Sequence, residues 1–133
     1  MPLFCILARD KQDAEAPARR QAARLAHFCR TKQAVEQGQV TFAGSMLGPD
    51  GNMRLSVLIV DFPSQEELDR WLTEEPYLLN GAWDHVETAP LFVAVQGNRI
   101  TQQWLELMEP ILEKGRMNLT LVGEGPRGQV SQG

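Results

Sequence analysis

Two histidines, two cysteines and a scatter of carboxylates are the groups from which chemistry could be built in this chain of 133 residues. The best organised set is Arg20, Arg24, His27 and Thr31, spaced by four, three and four positions. On a helix that spacing places all four on one stripe. An arginine offers a planar fork to a carboxylate, and a histidine gives or takes a proton near neutral pH. The stripe therefore suits a small anionic ligand. On spacing alone it suits better a solvated outer face, with Glu15 or another acid as a loose partner. His85 follows Asp84, but adjacent strand residues point to opposite faces, so the two make no pair. Cys5 and Cys29 have no metal or redox spacing and read as free thiols in a reducing compartment. The histidines and cysteines are too scattered for a metal site, so no metal and no cofactor are expected. Ser45 and Ser56 lack the flanking glycines of a nucleophile elbow, and no glycine-rich phosphate loop is present.

The elements that must carry these residues follow from periodicity. Pro2 to Arg9 is a short apolar run and predicts a strand with apolar residues on both faces. Pro17 to Gln37 is rich in Ala, Arg and Gln and predicts a helix, with Ala18, Ala22, Leu25, Phe28, Cys29 and Val35 as its core stripe. On that wheel His27 falls on the side away from the core. Gly38 caps the helix. Val40 to Met46 and Leu55 to Val60 predict a hairpin around the turn Pro49-Asp50-Gly51. Ser64 with Glu67 reads as a capping box opening a helix that runs to about Thr73. Glu75-Pro76-Tyr77 breaks that helix, and Val86 to Val95 predicts a last strand. Strand, helix, strand, strand, helix, strand is the ferredoxin-like βαββαβ order, an α+β fold with a four-stranded antiparallel sheet. Both helices then cover one sheet face. The other face stays apolar, which predicts a homodimer through sheet faces.

Residues 1–96 form this domain in the sequence reading, and 97–133 a C-terminal extension. The extension predicts a helix at about 99–114 from Ile100, Trp104, Leu107, Met108, Ile111 and Leu112. Pro110 should kink or shorten it, Gly115 should cap it, Met117 to Val122 should be a short strand, and a mobile tail should follow. Trp71, Trp83 and Trp104 read as packing residues. The net charge of -4 argues against nucleic acid. No apolar run is long enough to span a membrane and no cleavable signal is recognisable, so a cytoplasmic location is expected.

Arg24-Leu25-Ala26-His27, Phe42-Ala43-Gly44, the hairpin and Glu75-Pro76-Tyr77 with Gly81 occur in an order that resembles the YciI-like family. The opening Leu7-Ala8-Arg9-Asp10 fits as well, and the resemblance covers residues 1 to about 95. It implies a small bacterial protein of ferredoxin-like fold, paired sheet to sheet as a dimeric α+β barrel. It also implies an active site made from a histidine in an Arg-x-x-His motif and an aspartate in an Asp-Pro-Tyr motif. The histidine maps to His27. The aspartate position holds Glu75, which keeps the charge and reaches one methylene further. Most members have no assigned reaction, and some are associated with breakdown of chlorinated aromatic compounds.

A carboxylate on one ring nitrogen fixes the histidine tautomer and leaves the other nitrogen for general base or acid work. Pro76 holds the Glu75 backbone extended. The reading is thus an enzyme in which His27 and Glu75 are catalytic and Arg24, Arg20 and Tyr77 bind substrate. Hydrolysis, elimination or isomerisation of a small anionic organic compound all fit. The alternative is a non-catalytic small-ligand-binding or assembly module, with the C-terminal helix serving association.

Overall fold

The computed structural model describes residues 3–122. It has two compact units, one ending at Leu91 and the other starting at Phe92. The first contains β1 (Leu3–Asp10), α1 (Ala16–Glu36), β2 (Val40–Leu47), β3 (Met53–Asp61), α2 (Gln65–Leu72), α3 (Pro76–Leu79) and β4 (Trp83–Pro90). Its sheet has the order β2-β3-β1-β4, with every neighbouring pair antiparallel. This is the ferredoxin-like α+β arrangement.

Alternation along the central strands gives the sheet two different faces. Phe4, Ile6 and Ala8 of β1 lie opposite Val60, Leu58 and Ser56 of β3, and all six are buried. With Leu68 and Leu72 of α2 and Ala23 and Ala34 of α1, most of them form the core beneath the helices. The other face presents Leu3, Cys5 and Leu7 beside Ile59, Val57 and Leu55, all half-buried, and is apolar as expected.

The local signals have physical counterparts. Gly38, at φ +78°, ends α1 in a Schellman motif. Its N–H donates to Val35 O (3.0 Å), and the Gln39 N–H donates to Ala34 O (2.8 Å). The Glu67 N–H donates to Ser64 Oγ at the start of α2. Asp50 accepts from the Asn52 N–H across the β2–β3 turn.

Three expectations fail. First, α1 is rotated by half a turn from the predicted wheel. Leu25 is 73% exposed, Phe28 and Val35 are also exposed, and the buried positions are Ala23 and Ala34. The inward stripe is polar because other elements supply its partners, as described below. Second, the last strand ends at Pro90 instead of continuing to Val95. Proline donates no ladder hydrogen bond, and beyond the pair of Phe4 with Pro90 the one further bond is from the Leu91 N–H to Leu3 O. Third, helix α4 (Gln102–Val122) runs without a break through Pro110 and Gly115, so neither the cap nor the strand at 117–122 forms. Pro110 removes one backbone hydrogen bond, while the apolar arc of Trp104, Met108 and Ile111 continues across it.

The unit that starts at Phe92 holds α4 and the hairpin of β5 (Val95–Gln96) and β6 (Arg99–Ile100). Gly97 and Asn98 both have positive φ, the signature of a two-residue type I′ turn. The mobile tail proposed from residue 123 lies outside the described residues. Among the described residues, no helix is long and apolar enough to cross a membrane.

Candidate functional site

The polar stripe of α1 faces the corner where α2 gives way to α3. At that corner Glu75 is extended (φ −72°, ψ 121°), as expected before a proline, and caps the four residues of α3. Its side chain has no solvent exposure. Oε1 accepts from the Tyr77 N–H at 3.1 Å and from His27 Nδ1 at 2.5 Å. Oε2 accepts from Arg30 Nη1 at 3.4 Å. A buried carboxylate is tolerable when it is paired and multiply hydrogen-bonded, and Glu75 is both. Arg30 is itself anchored, donating to Trp71 O and lying 4.5 Å over the Trp71 ring.

The contact with Glu75 also settles the tautomer of His27. A carboxylate accepts, so the neutral imidazole carries its proton on Nδ1 and leaves the Nε2 lone pair free. The ring stacks on Tyr77 with centroids 4.0 Å apart and planes within 16°. Arg20 lies seven residues before His27, two helical turns or about 10.5 Å along the axis. Tyr77 fills that gap: the Arg20 guanidinium lies 4.6 Å from its ring centroid. Arg20 is held by Asp10, whose Oδ2 accepts from Arg20 Nη1 at 2.5 Å. Burial pushes the Asp10 carboxyl above its ordinary value, and the Arg20 charge and hydrogen bond oppose that shift.

His27, Arg20, Arg24, Thr31 and Tyr77 line a cavity of about 380 Å³. Ala43, Gly44 and Ser45 of β2 and Ser56 and Leu58 of β3 form its floor. This volume is at the small end for organic ligands. A larger cavity of about 680 Å³ runs along Asp10, Asp13, Asp50 and Arg54, and shares Arg20, Arg24 and Met53 with the first. Of the two cavities, the smaller contains His27. Charge is balanced unevenly around it. Glu75 offsets Arg30 and Asp10 offsets Arg20, while Arg24 has no ion pair among the described residues. A single unpaired guanidinium at the wall favours an anion.

The structure thus brings together His27, Glu75, Arg20, Arg24 and Tyr77. Arg30 was missed by the sequence reading, although it stands three residues after His27 on the same stripe. Asp10 entered only as part of a motif, and nothing local pointed to its bond with Arg20. His85 is exposed and takes no part. Cys5 and Cys29 are unbridged, and among the described residues no cluster of three metal-ligating side chains occurs.

The YCII-related domain family matches residues 2–91. The chain belongs to that family. The protein YciI of Escherichia coli is 31% identical over 94 residues, which are 66% of this chain and 94% of YciI. YciI of Shigella flexneri matches equally. Among solved structures, the fold is similar to 5-chloro-2-hydroxyhydroquinone dehydrochlorinase of Burkholderia phenoliruptrix in complex with 2,5-dihydroxybenzoquinone. That likeness has a TM-score of 0.58 at 20% identity and covers 68% of this chain and 93% of the other. The family match ends where the second unit starts, so α4 lies beyond the matched residues.

Proposed function

We propose that this YCII-related protein is a small acid–base enzyme acting on an anionic organic compound. The carrying observation is the His27–Glu75 contact, which leaves Nε2 free on a residue that lines a cavity open to solvent. Nε2 takes a proton from bound substrate. Glu75 keeps the ring oriented and stabilises the imidazolium that results. Arg24, with its charge unspent, draws the anion in, and Arg20 holds Tyr77 against the imidazole. Returning that proton to another substrate atom gives isomerisation; loss of an anionic leaving group, with the proton released to solvent, gives elimination; in hydrolysis the proton comes from an attacking water and passes to the leaving group. The likeness of fold to a dehydrochlorinase supports elimination among these.

An NMR titration of the His27 ring in the wild type and in Glu75→Gln tests the reading. The two curves must differ, because one carries a carboxylate at Nδ1 and the other does not. Superimposable curves mean that the side chains are uncoupled and end the proposal. A non-catalytic binding module would use the same cavity and the same Arg24, and coupling between His27 and Glu75 is what separates the enzyme from it.

The working form in this reading is a homodimer through the apolar sheet face of Leu7, Val57 and Ile59, in a reducing cytoplasm that leaves both thiols free. Light scattering at micromolar concentration should report twice the mass of one chain. The mass of a single chain would overturn the dimer.

A further inference from the structure

The smaller cavity holds more polar side chains than a His27–Glu75 pair requires. Ser45 and Ser56 lie opposite each other on the β2–β3 ladder, and both line it. Ser56 is 7% exposed, and its hydroxyl has no hydrogen-bond partner among the described residues. The next inward positions on β3 are Leu58 and Val60, so sheet packing alone does not call for a hydroxyl there. Thr31 Oγ1 and Trp83 Nε1, which belong to lining residues, are buried and unpartnered. Asp10 Oδ1, beside the larger cavity, is in the same condition. Three of the four such atoms among the described residues therefore surround these two cavities. Buried polar groups are normally satisfied, and a cluster of exceptions at one place indicates partners that arrive from outside.

We propose that Ser56, Thr31 and Trp83 form an oxygen-binding end of the cavity, which takes a flat ring compound bearing an anionic oxygen. The inference rests on the reading of this cavity as a substrate site and deepens it. An indole N–H can only donate, so its partner must bring a lone pair. Unpaired Arg24 sets the sign of the charge, and the Phe28 ring at the wall favours a flat apolar body. Ser56 is met first, because the Thr31 and Trp83 atoms are closed to bulk water. A ligand engages those two once the side chains that close them from water shift. Thr31 Oγ1 and Trp83 Nε1 have no protein partner, and the ligand oxygen supplies one.

The test uses the full chain, with benzoate as the anionic probe and nitrobenzene as its neutral near-isostere. Benzoate should bind saturably and move the Trp83 indole N–H signal downfield, the signal being assigned by its loss in Trp83→Phe. Nitrobenzene should leave it in place. Ser56→Ala should weaken benzoate by about tenfold, the usual scale for one hydrogen bond to a charged group. The same variant should keep the thermal midpoint, because the Ser56 hydroxyl has no protein partner to lose. Equal benzoate affinity in Ser56→Ala overturns the inference, as does a Trp83 signal that stays fixed at saturation. No saturable benzoate binding overturns it too, and so does a lowered midpoint in Ser56→Ala. The acid–base reading is judged on the His27 titration instead, so either can fail alone.

Discussion

Replacing Glu75 by leucine keeps the volume and removes every acceptor at the centre of the site. In the native protein that carboxylate receives His27 Nδ1 at 2.5 Å, the Tyr77 N–H at 3.1 Å and Arg30 Nη1 at 3.4 Å. Removing one partner of a buried charge pair costs about 3–5 kcal/mol, because the other is left uncompensated. The His27 and Arg30 side chains are 21% and 19% exposed, so water recovers part of their solvation and the low end, about 3 kcal/mol, is expected. For a unit of this length each kcal/mol moves the thermal midpoint by roughly 4–8 °C, which gives a fall of about 12–24 °C. Glu75→Gln should fall between: its amide oxygen still serves His27 and Tyr77, but its amide N–H groups meet the donors of Arg30. Thermal and urea unfolding followed by circular dichroism measure both. Long-range proton–nitrogen NMR on histidine-labelled protein reads the tautomer, with the proton of the neutral His27 ring expected on Nδ1. A loss below about 1 kcal/mol in Glu75→Leu, the scale of an ordinary hydrogen bond, refutes the reasoning. A neutral ring protonated on Nε2 refutes it equally.

The rotation of α1 predicts that Ala23→Leu is destabilising by about 1–3 kcal/mol through overpacking, whereas Leu25→Ser changes urea stability by no more than about 0.5 kcal/mol. A large loss in Leu25→Ser together with a tolerant Ala23 would restore the wheel read from sequence. Asp13, hydrogen-bonded by Arg19, and Asp50, hydrogen-bonded by the Asn52 N–H, are both held below the ordinary 3.8. Their stabilisation is present above that value and fades as pH falls through the lower folded values, so Asp13→Asn and Asp50→Asn should cost stability at neutral pH and nothing in strong acid. Asp10 is shifted upward by burial, so its contribution is complete below 3.8 and lost as pH rises through the folded value. Asp10→Asn should therefore gain on the wild type as pH rises across that range. Urea midpoints taken across the acid range check all three, and an Asp10→Asn difference that does not vary with pH contradicts the assignment.

Local signals were sufficient for the fold wherever one residue type has one physical job. Gly38 at positive φ, Ser64 accepting from the Glu67 N–H, and the Pro49-Asp50-Gly51 turn stand where their chemistry requires. Alternation in β1 and β3 is equally local. The orientation of α1 was not legible in the same way. A hydrophobic wheel assumes that the inward face is the apolar one, yet here the inward stripe is Arg20, His27, Arg30 and Thr31. Arg20, His27 and Arg30 find their partners on other elements, Asp10 on β1 and Glu75 before α3. The two prolines make a similar point. Pro90 is the last residue of its strand, while Pro110 stands inside an unbroken helix, so the residue type alone does not decide between stopping and continuing.

The same inversion accounts for how the site exists at all. An apolar inward stripe on α1 would have given a tighter core and no cavity. Ala23 and Ala34 are the buried positions of α1, and Arg24, His27 and Thr31 between them line the cavity that Ser45 and Ser56 also line. Glutamate at position 75 belongs to this arrangement. Its carboxylate must cap the Tyr77 N–H two residues ahead and also meet a histidine on another helix, and the extra methylene lets one side chain serve both. Burial beneath the polar stripe then makes the carboxylate effective, since a charge shielded from water acts on the imidazole with less screening than one at the surface. The stability given up by a polar interior is thus what leaves His27 both oriented and open on one nitrogen.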